Sequence, residues 1–300
     1  MDWYARPEGT AFQLRLAPRL ASWNKTGDPD QVRLQAYLDD TEALLAGSRI
    51  DGPWALRLDV GLPTSRDLLD AADLDNYAYP LAYRLRDAGL VSVWCTKQHS
   101  DRSFVGIEAA VKVRGPSTGL LIARPTASAS TVAFKEQIRA SAENSAELPP
   151  GPVRLELSFV VGPGRNWLNL WKQTIDSLDP LLGSTYPERP WHPRDGRITE
   201  LGLHVKVVPD FGHRIMVGIA ASVPEGTAER KIAWRTYGGV IAKYELPGGA
   251  PTGWGIVFPH WDAEMPLSTD NAIWLRDALE YVLDASRINR PAPAPKPLWD

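Results

Sequence analysis

One cysteine, Cys95, in 300 residues leaves no pair for an intrachain disulfide and no thiolate set for a cysteine-rich zinc site. No run approaches the roughly eighteen consecutive apolar residues of a membrane-spanning helix. The stretch from Met1 to Glu8 lacks a basic region followed by an apolar core, so no signal peptide is expected. A GxxxxGK phosphate loop and a GxSxG nucleophile elbow are both missing. Gly162-Pro163-Gly164 reads as a turn. The five histidines, His99, His192, His204, His213 and His260, show no helical pair with a third ligand, so a histidine zinc site is not expected. Neither sign of charge dominates: 33 Lys and Arg stand against 36 Asp and Glu, a formal net charge of -3. Residues 1–116 carry 14 basic and 16 acidic groups, 117–224 carry 11 and 10, and 225–300 carry 8 and 10. No segment is a basic domain, so a nucleic-acid contact would have to be a local patch. With 44% hydrophobic and 23% charged residues, the chain is expected to be a cytoplasmic protein that does not enter a membrane.

What is present is a frame written twice. The alternating stretch Gly52–Val60 resembles Gly151–Phe159, and each predicts a half-buried strand. Helical spacing then predicts helices opening at Asn76 and at Asn169, the first of which Pro80 should kink. Asp101 stands ten residues before Val111-Lys112-Val113, and Asp195 ten before Val205-Lys206-Val207. Upstream, a short strand at 11–16 precedes a helix from Asp30 to Leu45, and a strand at 119–123 precedes a helix from Val132 to Ser145. Each copy reads strand, helix, strand, helix, strand, with a closing strand at 214–220. The expected fold class is α/β or α+β, helices against a small mixed sheet. Domains are expected at 1–116 and 117–224, followed by an extension at 225–300. That extension carries strands at 239–245 and 254–258, a helix starting near Ser268 or Asp270, and a proline-rich tail.

Asp73-Leu74-Asp75-Asn76 places two carboxylates and an amide at a helix start, and Asp101 leads the next strand. Such oxygen clusters suit hard divalent cations. An aspartate in this position also serves as an N-cap, and that plain role stands beside the metal-binding one. Asp67 and Asp70 read as a solvated loop, and His99 lies close enough to Asp101 to assist proton transfer. Arg194 and Arg197, around Asp195, could touch phosphate.

On these residues the first copy resembles the RusA-type Holliday-junction resolvases, magnesium-dependent endonucleases that act as homodimers. The resemblance covers roughly residues 10–115. It implies that Asp73, Asp75 and Asp101 hold Mg²⁺, for which Mn²⁺ can substitute. The family's helix lysine falls at Tyr79, with Lys97, in the loop before Asp101, as a substitute. The second copy, 118–222, has Asn166 and Asn169 in place of the helix-start motif, Lys172 at the lysine position and Asp195 as its later acid. Two such copies imply an intrachain pseudo-dimer with one active centre, cleaving branched or structured DNA during recombination or repair. Lys172 or Lys97 would offset phosphate charge. The competing expectation is a catalytically inactive DNA- or protein-binding scaffold that keeps the fold. A third is metal-dependent hydrolysis of a smaller phosphorylated or nucleotide substrate.

Overall fold

The computed structural model describes residues 1–224, apart from 22–24, 26, 49, 71–72, 117–118 and 187, and the backbone of four strands within 225–300. The first half holds β1 (Trp3–Tyr4), β2 (Phe12–Gln13), α1 (Pro29–Leu45), β3 (Trp54–Leu62), α2 (Leu74–Leu85), β4 (Leu90–His99), β5 (Phe104–Ala109) and β6 (Lys112–Val113). The second holds β7 (Leu121–Ala123), α3 (Val132–Ala142), β8 (Val153–Val161), α4 (Trp171–Ile175), α5 (Asp179–Leu182), β9 (Ile198–Val207) and β10 (Ile215–Ser222). The fold is mixed α+β. Eight strands form one sheet in the order β2-β5-β3-β4-β9-β8-β10-β7, and β1 pairs with β6 as a separate ribbon. β3 is parallel to β4 and β8 is parallel to β9, while the other neighbours are antiparallel. The order reads the same from either edge, and the two halves meet strand to strand at β4 and β9. Residues 1–224 therefore close as one unit rather than parting at 116.

This topology corrects the expected frame in two places. β4 is a strand that the frame omits, and Lys97 sits in it rather than in a loop. Its run from Leu90 to Thr96 is covered on both faces, so the apolar alternation that marks a half-exposed strand is blurred. Strand register then pairs Trp54 with Leu90 and Val153 with Ile198. Asp195, three residues before Ile198, thus corresponds to Asp87, three before Leu90. Asp101 lies one strand later, in the turn between β4 and β5. The expected equivalence of Asp101 and Asp195 fails because a whole strand separates their places in the fold.

α2 runs through Pro80, whose missing N–H would orphan the Asn76 carbonyl. The backbone N–H of Ala21 takes that carbonyl at 2.8 Å, which lets the helix continue. The helix expected from Asn169 is shorter and broken. A 3₁₀ turn, Trp167–Leu170, leads into α4, and α5 follows. Pro180 cannot continue α4, and the Ser177 hydroxyl donates to the Gln173 carbonyl at 2.6 Å at the break.

Along β4, successive side chains alternate between faces. Val93 and Cys95 join the core beneath the helices, with Leu81 of α2 and Leu201 and Leu203 of β9. Ser92, Trp94 and Thr96 face the N-terminal segment, where the Trp3 and Trp94 rings pack edge-on to His204 and Arg6 pairs with Asp59 at 2.6 Å. Lys97 therefore emerges on the helix side, beside the start of α2.

Trp94 lies opposite Gly202 across the central seam. A Cβ on Gly202 would come within 2.9 Å of the Trp94 ring and 3.0 Å of Glu156 Cγ. Gly202→Val is expected to destabilise the protein by about 1–3 kcal/mol through overpacking, read as a lower urea midpoint with unchanged slope.

Within 225–300, β11 (Ile232–Thr236), β12 (Gly239–Glu245), β13 (Pro251–Phe258) and β14 (Ala263–Pro266) form an antiparallel sheet in sequence order. The expected helix and proline-rich tail lie outside the described residues. No described helix is long and apolar enough to cross a membrane.

Candidate functional site

Because β4 and β9 run antiparallel, with Thr96 opposite Glu200, the end of one lies beside the start of the other. Lys97, past Thr96, donates from Nζ to the carbonyl of Gly196 at 2.5 Å. Gly196 belongs to the 3₁₀ turn Asp195–Arg197 that leads into β9. A Cβ there would lie 3.0 Å from the Leu69 carbonyl oxygen and 3.1 Å from the Asp70 carbonyl carbon. Only glycine lets this turn press against the segment entering α2. The close approach carries Asp195 toward Asp73, so one cluster draws residues from both halves.

Asp73 occupies the N-cap of α2 but makes no side-chain capping bond. Its Oδ2 instead accepts from Asn76 Nδ2 at 3.1 Å. The plain capping role is thus not the one its carboxylate performs. Asp75 is 4% exposed. Burial pushes its carboxyl up to about 6; Lys172 opposes this, while Asp73 and Asp176 add to it. Asp195 is pushed up to about 7, again chiefly by burial, then by Asp73 and Asp75, with Lys172 opposing. Burial lowers Lys97 to about 8, a shift moderated by Asp73 and Asp195. Burial also works against Lys172, but Asp75 and Asp176 outweigh it and hold the ammonium above its usual value. Lys172 pairs with Asp176 at 3.2 Å. Asp75, Asp195 and Lys172 respond to one another's charge, so their protons leave as a coupled set.

Of the residues singled out in the sequence, Asp73, Asp75, Lys97, Lys172 and Asp195 come together. Asp101 does not. Its side chain is 89% exposed on the β4–β5 turn, where its ion-pair partner is Arg102 at 3.9 Å. His99 is exposed beside it. Arg197 is buried, donating to the carbonyls of Gly151, Leu148, Leu182 and Pro149, so it holds a turn rather than facing a phosphate. Asp67 accepts from the Leu69 N–H at 2.8 Å, as expected of a loop aspartate. Asp176 was missed, although its spacing of four from Lys172 on a helix was a readable signal.

The second half mirrors the helix start without its acids. Asn166 Oδ1 accepts from the Leu168 N–H at 3.2 Å, and its Nδ2 donates to Asn169 Oδ1 at 3.3 Å. Tyr79, where the resemblance places a lysine, crosses between the halves and donates to Asn169 Oδ1 at 3.0 Å. Between the two helix starts lies a cavity of about 230 Å³, lined in part by Asp75, Asn76, Tyr79, Asn169, Trp171 and Lys172. A second cleft of about 390 Å³ is lined in part by Asp73, Arg194 and Asp195.

Among the described residues, no three His, Cys, Asp or Glu side chains gather closely enough to hold a metal ion by themselves. The expected trio of Asp73, Asp75 and Asp101 is therefore not assembled, since Asp101 lies on the exposed turn. Magnesium commonly takes one or two carboxylates and completes its shell with waters and substrate phosphate oxygens. Asp75 lines the first cavity and Asp73 the second cleft. No family model, curated protein or solved structure matches this chain.

Proposed function

We propose that the chain is a structure-selective DNA endonuclease of the RusA-like resolvase type. Its two halves would be degenerate copies of one domain, sharing a single composite centre. The observation behind this reading is the shared electrostatics of the seam: Asp73 and Asp75 of the first half lie within charge range of Asp195 of the second, and Asp75 within range of Lys172. A structural role for one of these acids is ordinary. Gathering three carboxylates and two ammonium groups at one seam is costly to the fold, and that cost is typical of a site that handles charge.

In this reading Asp73 and Asp75 would be the carboxylates that hold Mg²⁺, or Mn²⁺, when it arrives with a phosphate. When bound, the cation would offset phosphate charge and acidify the attacking water. Asp195, poised near neutral, takes a proton from an attacking water as its oxygen bonds to phosphorus, while the P–O bond to the sugar breaks and the leaving oxygen is protonated from solvent. Lys172 faces the phosphate charge from the cavity side, and Lys97 fixes the Asp195 turn through the Gly196 carbonyl.

The corrected placement gives a sharp test. Asp195→Asn should cut Mg²⁺-dependent cleavage of a four-way junction by about 10²–10⁴-fold, the usual contribution of a positioned base. Asp101→Asn should leave the rate within about twofold. The reverse ranking would restore Asp101 and sink the composite centre. Calorimetry with Mn²⁺ should show tight binding only when junction DNA is present.

The lack of a ready metal cage among the described residues favours a second reading, a scaffold that binds branched DNA without cutting it. Junction binding that is unaffected by Mn²⁺, with no cleavage product, would select it.

A further inference from the structure

We propose that the cavity between the two helix starts receives a single unstacked nucleobase. The inference takes its ligand class from the nuclease reading but stands on different atoms. At about 230 Å³ the cavity lies just below the smallest drug-sized sites, on the order of 300 Å³. That leaves room for one planar ring system rather than a dinucleotide cofactor. Two aromatic side chains, Tyr79 and Trp171, line it. Tyr83 backs the Tyr79 ring, with ring centroids 5.7 Å apart at 23°, and Trp171 meets that ring edge-on at 6.3 Å and 88°. Base–aromatic stacking is sequence-tolerant, because every base has a π-face.

The polar groups suit a base edge. Asn169 Oδ1 is occupied by the Tyr79 hydroxyl and by Asn166 Nδ2, which leaves the Asn169 amide nitrogen as a donor. Asn76 Nδ2 is turned to Asp73, which leaves the Asn76 amide oxygen as an acceptor. A donor and an acceptor on the lining of one cavity are the groups that amide side chains use to read base edges. Trp171, almost fully buried, adds apolar surface to the same wall. Lys172 completes the arrangement with a cation for the phosphate attached to such a base. A base drawn out of a branch point would also bring its phosphate to Asp75.

The test uses the full chain and calorimetric titration with the four deoxynucleoside 5′-monophosphates, with deoxyribose 5-phosphate and inorganic phosphate as probes that lack the base. Nucleotides should bind at least about tenfold more tightly than deoxyribose 5-phosphate, the contribution of one stacked base. Tyr79→Ala should abolish that preference, whereas Tyr79→Phe should keep most of it. Equal binding of nucleotides and deoxyribose 5-phosphate by the wild-type protein overturns the proposal, whatever the variants do. So does an undiminished preference in Tyr79→Ala. Nucleotide preference without junction cleavage would remove the nuclease reading and leave the base pocket, and cleavage without nucleotide preference would do the opposite.

Discussion

Asp75→Asn is expected to abolish cleavage while making the protein more stable at neutral and alkaline pH. The carboxyl ionises at 3.8 in an unstructured chain and near 6 in the fold, because burial penalises its charged form more than Lys172 relieves it. The folded state therefore binds the proton more tightly. Asp75 gives stability that is fully present below about pH 4 and is lost as pH rises to about 6. At pH 8 the ionised group costs about 2–3 kcal/mol, which the neutral amide removes. In a unit of this size that corresponds to a rise of roughly 5–10 °C in melting temperature. At pH 4 the variant and wild type should melt together. Loss of an acid proposed to hold the phosphate-bound cation should lower the cleavage rate by at least about 100-fold. Stability and activity thus move in opposite directions, as at other strained functional sites. A variant that melts lower at pH 8 would refute the burial argument. One that melts higher and cuts DNA at the wild-type rate would refute the site.

The seam that makes this site was only partly legible in the sequence. β3 and β8 were, since each alternates and follows a Gly-Pro pair, and both glycines adopt the left-handed conformation, at φ 94° for Gly52 and 119° for Gly151. α1 was, because Asp28 caps it and Pro29 opens it, and its buried Leu34, Tyr37, Leu38, Thr41 and Leu45 recur at helical spacing. The acids at the start of α2 were visible as a local motif. The inner strands were not. β4 is covered by α2 on one face and by the N-terminal segment on the other, which erases the two-residue period from which a strand is recognised. Without β4 the two halves align one strand out of step, which sets Asp101 opposite Asp195 and agrees with the third acid that the resemblance implies. In the sequence Asp195 belongs to its own half. Nothing local in the peptide from Trp191 to Arg197 says that antiparallel pairing of β4 with β9 will set it against Asp73. Such a contact, from opposite halves of the sheet, is fixed by tertiary pairing and by the one glycine, Gly196, that permits it. Lys97 shows the same limit: a lysine in a sequence reads as solvated, yet this one is 4% exposed.

Cleavage should follow a bell-shaped dependence of kcat/KM on pH, with both limbs set by this cluster. On the acid side, Asp75 near 6 and Asp195 near 7 must both be ionised, one to hold the phosphate-bound cation and the other to take the proton. They sense each other, so the limb belongs to the pair. Activity should fall about tenfold per pH unit once the first has protonated, and more steeply below pH 6. On the alkaline side, Lys97 loses its proton near 8, and its contact with the Gly196 carbonyl then no longer carries a charge. The stability of the fold responds with the opposite sign there. A lysine with a lowered value gives stability that is present above about 10.5 and is lost as pH falls through about 8, so the protein is strained where it is most active. Lys97→Arg should move the alkaline limb upward by more than one pH unit, since guanidinium stays charged throughout this range. Its acid limb should be unmoved or slightly lowered. A flat profile between pH 6 and 9 would mean that none of these groups changes charge in the rate-determining step. An alkaline limb unchanged in Lys97→Arg would place that ionisation elsewhere and leave Lys97 as a purely structural strand residue.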